Sequence, residues 1–139
     1  MARKLAITNS KGGPAKTTTP MTLGMGLAHE GKRVLMIDLD PQGSLSICLG
    51  YNQPDKIKDT IFQIFTMEAN GDEIPDGLAI IHHMDNLDLI PANIELSTVE
   101  VSRASALCRE SILRNYIEGI EDSYDYILID CMPSLGILT

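Results

Sequence analysis

Two kinds of apolar pattern alternate along the chain. Short continuous runs, "KLAITN" (Lys4 to Asn9), "RVLMID" (Arg33 to Asp38) and "YDYILID" (Tyr124 to Asp130), stop at turn or acidic residues and predict buried strands. Between them lie stretches with helical spacing and recognisable stops. Lys16 to Glu30 carries Met21, Leu23, Met25, Leu27 and Ala28 and ends at Gly31. Asp59 to Gly71 predicts a helix capped by Asp59 and stopped by Asn70-Gly71. Glu110 to Glu121 places Ile112, Leu113, Tyr116, Ile117 and Ile120 on one helical face, which reads as core.

The middle of the chain is patterned more weakly. A short helix is expected between Pro41 and Gly50, a turn-rich loop at "DEIPDG", a weak strand at "LAIIHHM" and a strand end at "LDLIPAN" (Leu87 to Asn93). Ser97 followed by Glu100 resembles a capping box. Strand, glycine-rich loop, helix and strand within the first forty residues form a βαβ unit. That unit implies an α/β fold with a parallel sheet flanked by helices. Only "CMPSLGILT" follows the strand ending at Asp130. A parallel sheet needs helices over both faces, so residues 1–139 are expected to be the N-terminal part of one larger domain, truncated after that strand.

Composition narrows the options. With 44% hydrophobic residues in 139, the chain can build a core. A net charge of −8, from 19 acidic and 11 basic residues, argues against a chain-wide nucleic-acid or membrane footprint. Cys48, Cys108 and Cys131 lack metal-ligand spacing and fit reduced thiols. No window reaches the ~18 apolar residues of a membrane span, and the expected location is cytoplasmic. His82-His83 with Asp85 reads as a solvated loop pair, and Cys131 as a packed thiol.

The chemistry concentrates in "SKGGPAKTTT" (Ser10 to Thr19). Glycines let a loop wrap phosphate oxygens closely, and N–H groups at a helix start point outward without internal partners. Lys16 supplies charge for the phosphates and Thr17 a hydroxyl for Mg²⁺. Asp38 and Asp40 close one strand and Asp130 another, at the sheet edge where ligands of open α/β sheets sit. Carboxylates there can hold Mg²⁺ or orient an attacking water.

"SKGGPAKTT" resembles the deviant Walker A motif. "VLMIDLDPQGSLS" is similar to the second motif of the ParA/Soj/MinD family, and "YDYILIDCMPSLGILT" to its Walker B region. "LDLIPANIELS" is similar to the ParA/Soj branch, so the resemblance spans essentially the whole chain. It implies a P-loop NTPase fold with ATP and Mg²⁺ as cofactors. It implies Lys11 as the signature lysine reaching the partner subunit's phosphates. Gly12, Gly13, Ala15, Lys16, Thr17 and Thr18 fall in the phosphate cradle. Thr17, Asp38 and Asp130 (the Walker B carboxylate) fall in the metal region, and Asp40 beside the hydrolytic water. The family further implies an ATP-dependent homodimer, a centromere-binding partner of ParB type, and non-specific DNA binding through a second half that this chain lacks. Its role is plasmid or chromosome partitioning.

Two residues depart from the motif. Pro14 removes one N–H donor to phosphate, worth roughly 1.5–3 kcal/mol for a charge-assisted bond. Pro20 deletes a helix bond to the Lys16 carbonyl. Two functions therefore stay open: an ATPase, and a non-hydrolysing fragment that at most binds nucleotide or protein.

Overall fold

A computed structural model describes residues 3–7, 15–96 and 105–130; among these, the side chains of 5–7, 15–20 and 105–110 are left aside. Five strands form one sheet: β1 (Arg3–Ile7), β2 (Val34–Asp38), β3 (Ile81–Met84), β4 (Leu87–Ile90) and β5 (Tyr126–Asp130). Their order across the sheet is β1-β5-β2-β4-β3. The β1–β5, β5–β2 and β2–β4 pairs are parallel. The edge pair β3–β4 is antiparallel, the one exception among the described pairs in the expected parallel sheet. The reason is local: Asp85-Asn86 joins the two strands as a tight turn, with Asn86 at φ +67°. Asn tolerates that left-handed geometry.

Among the described residues four α-helices accompany the sheet: α1 (Ala15–His29), α2 (Ser44–Cys48), α3 (Ile61–Ala69) and α4 (Ser105–Ile120). β2 and β5 begin one and two residues later than the predicted runs, and β1 begins one residue earlier, at Arg3. β3 and β4 are each three residues shorter than the predicted runs, and α4 starts earlier than expected, at Ser105. The cap of α3 is Thr60 rather than Asp59. Thr60 Oγ1 accepts from the Phe62 N–H at 3.2 Å, and Gln63 Oε1 accepts from the Thr60 N–H at 2.7 Å. His82 and His83 lie on β3, not in a loop. The capping box foreseen at Ser97 and Glu100 lies outside the described residues, as does Cys131.

Strand alternation divides the core into two layers. Leu35 and Ile37 of β2, Ile127 and Ile129 of β5 and Ile90 of β4 pack with α3 and α4 residues such as Ile64, Phe65, Leu113 and Ile117. Val34 and Met36, with Leu128, Leu87 and Leu89, face Ala28 of α1 and Leu45 of α2 on the opposite side. Fully burying one such side chain stabilises by about 1.5–3 kcal/mol. β2 is covered on both faces, which is why its sequence is apolar without alternation. Helix α1 approaches the sheet closely at Gly24, where a Cβ would meet Met36 Sδ at 2.7 Å. It runs through Pro20 without interruption.

Candidate nucleotide-binding site

Parallel pairing sets Ile7, Asp130 and Asp38 in one row at the ends of their strands: Ile7 registers with Asp130, and Asp130 with Asp38. The polypeptide leaves β1 at that row and enters α1 at Ala15. Residues 8–14 lie between the end of β1 and the start of α1. Alternation fixes the face of the two carboxylates. Met36 and Leu128 pack on the α1 side, so Asp38 and Asp130, two residues on, belong to that same side.

Asp38 is fully buried. Its Oδ1 accepts from the Asp40 N–H at 3.0 Å, and its Oδ2 from the Ser46 N–H at 3.1 Å and the Ser46 hydroxyl at 2.9 Å. Burial pushes its pKa up to about 7; the three hydrogen bonds oppose that rise and the charge of Asp130 adds to it. Asp40 is 6% exposed and closes its own turn. Its Oδ1 accepts from the Gln42 N–H at 2.9 Å and its Oδ2 from the Ser44 hydroxyl at 2.7 Å. Asp130 is fully buried, and its carbonyl accepts from the Leu39 N–H at 2.9 Å.

The turn between β2 and α2 depends on Gly43, at φ +68°. A Cβ there would lie 2.8 Å from Pro54 Cγ and 2.9 Å from the Ala92 carbonyl oxygen. Only glycine satisfies both the left-handed backbone and that space.

Two acidic side chains side by side on one buried sheet face repel when both are ionised, and a nearby divalent cation relieves that repulsion. Among the described residues no group of three or more His, Cys, Asp or Glu is arranged to hold a metal by itself. The donor set fits Mg²⁺ in particular, which is usually held by one or two carboxylates together with substrate phosphates and water.

Ala15, Lys16, Thr17 and Thr18 occupy the first turn of α1. The first four N–H groups of a helix lack intrahelical partners and carry the positive end of its dipole. Lys11, Gly12, Gly13 and Pro14 lie outside the described residues. His82 and His83 serve elsewhere. His82 Nδ1 meets Asp88 Oδ1 at 3.0 Å, and His83 Nδ1 meets the Tyr51 hydroxyl at 3.2 Å. Sequence reasoning passed over Ser46 and Gly43. The signal for Gly43 was its place before a helix start. Ser46 had none, because its partner lies eight residues back around a left-handed turn.

A βαβ unit with two strand-end carboxylates in one row of a parallel sheet has the P-loop NTPase fold. The family profile described as "AAA domain" matches residues 2–139, and the chain belongs to this family, in its ParA/Soj branch of deviant Walker A ATPases. It is 42% identical to the sporulation initiation inhibitor protein Soj of Bacillus subtilis, over 100% of this chain and 53% of that protein. It is also 42% identical to the chromosome partitioning protein ParA of Caulobacter vibrioides, over 99% of this chain and 50% of that one. A cobyrinic acid a,c-diamide synthase structure from Mycobacterium smegmatis, with bound ATP analogue and magnesium, superposes with TM-score 0.81 at 38% identity. The match covers 99% of this chain and 54% of that one. A plasmid partition protein from Borrelia burgdorferi gives TM-score 0.77 at 27% identity, over 99% of this chain and 59% of that one. The chain spans about half the length of the curated relatives it matches.

Proposed function

We propose that this chain is the nucleotide-binding portion of a ParA-type partition ATPase that binds ATP with Mg²⁺. The observation that carries the reading is the row Ile7, Asp130, Asp38, which sets two buried carboxylates beside the strand that feeds the glycine loop. Relatives of the same fold hold an ATP analogue or ADP with magnesium. In this reading the α1 N–H groups and Lys16 bind the β- and γ-phosphates, and Thr17, Asp38 and Asp130 hold the metal. Lys11 reaches the phosphates of a partner subunit. Asp40 orients the attacking water once the Gln42 and Ser44 contacts yield it. The metal, when bound, offsets charge on the phosphate oxygens. Hydrolysis times a dimer–monomer switch in the cytoplasm, stimulated by a centromere-binding protein of ParB type. DNA is held non-specifically by the part of the relatives' length that this chain does not span.

A second reading, nucleotide binding without turnover, is favoured by the Asp40 carboxylate being engaged in its own turn. Calorimetric titration of ATP with and without Mg²⁺, on this chain and on Lys16→Ala, tests the site. Mg²⁺-dependent binding that weakens at least about tenfold in Lys16→Ala is expected, since hydrogen bonds to charged groups contribute roughly 1.5–3 kcal/mol. Equal affinity in both removes the assignment. Phosphate release from the same samples separates hydrolysis from binding alone.

A further inference from the structure

The β2–α2 turn is held by a side chain that none of the family's motif roles uses. Ser46 is fully buried on α2. Its hydroxyl donates to Asp38 Oδ2 at 2.9 Å and accepts from the Ala92 N–H at 3.4 Å. Its own N–H donates to the same Asp38 oxygen at 3.1 Å. Asp38 Oδ1 in turn accepts from the Asp40 N–H at 3.0 Å. One hydroxyl thus joins three pieces of backbone: the end of β2, the start of α2 and the chain leaving β4. A hydroxyl is suited to this place because it donates to the carboxylate and accepts from the amide at once. A methyl group of similar size can do neither.

We propose that Ser46 is a positioning residue, which locks the Asp38 carboxylate and, through it, the Asp40 backbone in the orientation the phosphate site needs. The proposal rests on the ATPase reading for its catalytic consequence, but not for its structural one. Without the Ser46 hydroxyl, Asp38 keeps one backbone donor on Oδ2 and gains freedom about χ2. The turn bearing Asp40 then loses its tie to the β4 exit. Lys16 and the α1 N–H groups are on a different element, and Asp38 keeps a backbone donor on each oxygen to hold it near the metal region, so nucleotide affinity falls less than turnover.

The test uses the whole chain in three variants: Ser46→Ala, Ser46→Cys, which keeps the packing but donates weakly, and Ser46→Thr, which keeps the hydroxyl. Amide hydrogen exchange of the nucleotide-free protein is read by NMR at Asp40 and Ala92, with Met36 and Leu89 as ladder controls. The Ala and Cys variants are expected to exchange roughly tenfold faster at Asp40 and Ala92 with the controls unmoved, as for a local opening. The Thr variant is expected to match wild type. With Mg²⁺ and ATP, kcat in the Ala and Cys variants is expected to fall about tenfold while KM stays within about threefold, again restored by Thr. Unchanged exchange at Asp40, or loss of protection spread equally over the controls in both the Ala and Cys variants, overturns the proposal. So does an unchanged kcat in an active protein. If the wild type neither binds nor hydrolyses ATP, the ATPase reading falls, and exchange at Asp40 alone decides whether Ser46 holds the turn.

Discussion

At Asp38 the costs of burial and the gains of hydrogen bonding meet in one carboxyl group. Burial raises its pKa to about 7, against about 3.9 for an unperturbed aspartate. The sign of the linkage follows. The folded state binds this proton more tightly than the unfolded state, so the stability from this group is fully present below about pH 4 and is lost as pH rises towards 7. We predict that the metal-free chain loses on the order of a few kcal/mol from this source across that window. Urea unfolding at intervals of pH should show the decline, and Asp38→Asn should flatten it, whatever constant offset the amide introduces. A wild-type stability that instead climbs from pH 4 to 7, with no difference in slope from Asp38→Asn, would contradict the burial argument. Asp38, Asp40 and Asp130 were legible in the sequence because each ends or follows an apolar run, where a charged residue has few other uses. Their division of labour was not. Which oxygen accepts from which N–H depends on the path of residues 40–46, and that path is set by one left-handed glycine.

Among the secondary elements, α3 shows how a cap decides a boundary. Thr60 and Gln63 complete a capping box, and Thr60 is fully buried, so solvent cannot replace its contacts. Thr60→Ala should cost about 1–2 kcal/mol, in the usual range for an N-cap. Asp59→Ala should cost little, because Asp59 is not the cap. Denaturant midpoints of the two variants check this ordering, and a larger loss at Asp59 would reverse it. By residue type Asp59 is the stronger cap, but the register of the inward residues Ile61, Ile64 and Phe65 sets the helix start one residue later, with Thr60 as the cap. Buried strands such as "VLMID" and "YILID" were legible because covering both faces leaves no polar alternation to confuse them. The edge hairpin was less so. Ile81 to Met84 is half-buried and interrupted by two histidines, whose partners Tyr51 and Asp88 come from other segments.

For the molecule as a whole, charge and topology set the limits. A net charge of −8 opposes phosphodiester contacts for the chain as a whole. We predict that this chain, with or without ATP, shows no duplex-DNA binding at physiological salt in fluorescence anisotropy; salt-sensitive binding at micromolar protein would refute this. The order β1-β5-β2-β4-β3 has a consequence for timing. β5 stands between β1 and β2, so those two strands share no ladder of their own, although both are synthesised early. β2, β4 and β3 can zip together while the polypeptide is still emerging, because their separations are shorter. β1 must wait for a strand more than a hundred residues downstream, and closing so long a loop is slow. The glycine-rich segment follows β1 in the sequence, and Asp130 ends β5. On the proposed reading, the β1 end of the site is therefore completed late in folding, and a nascent chain offers no assembled nucleotide site until β5 has arrived.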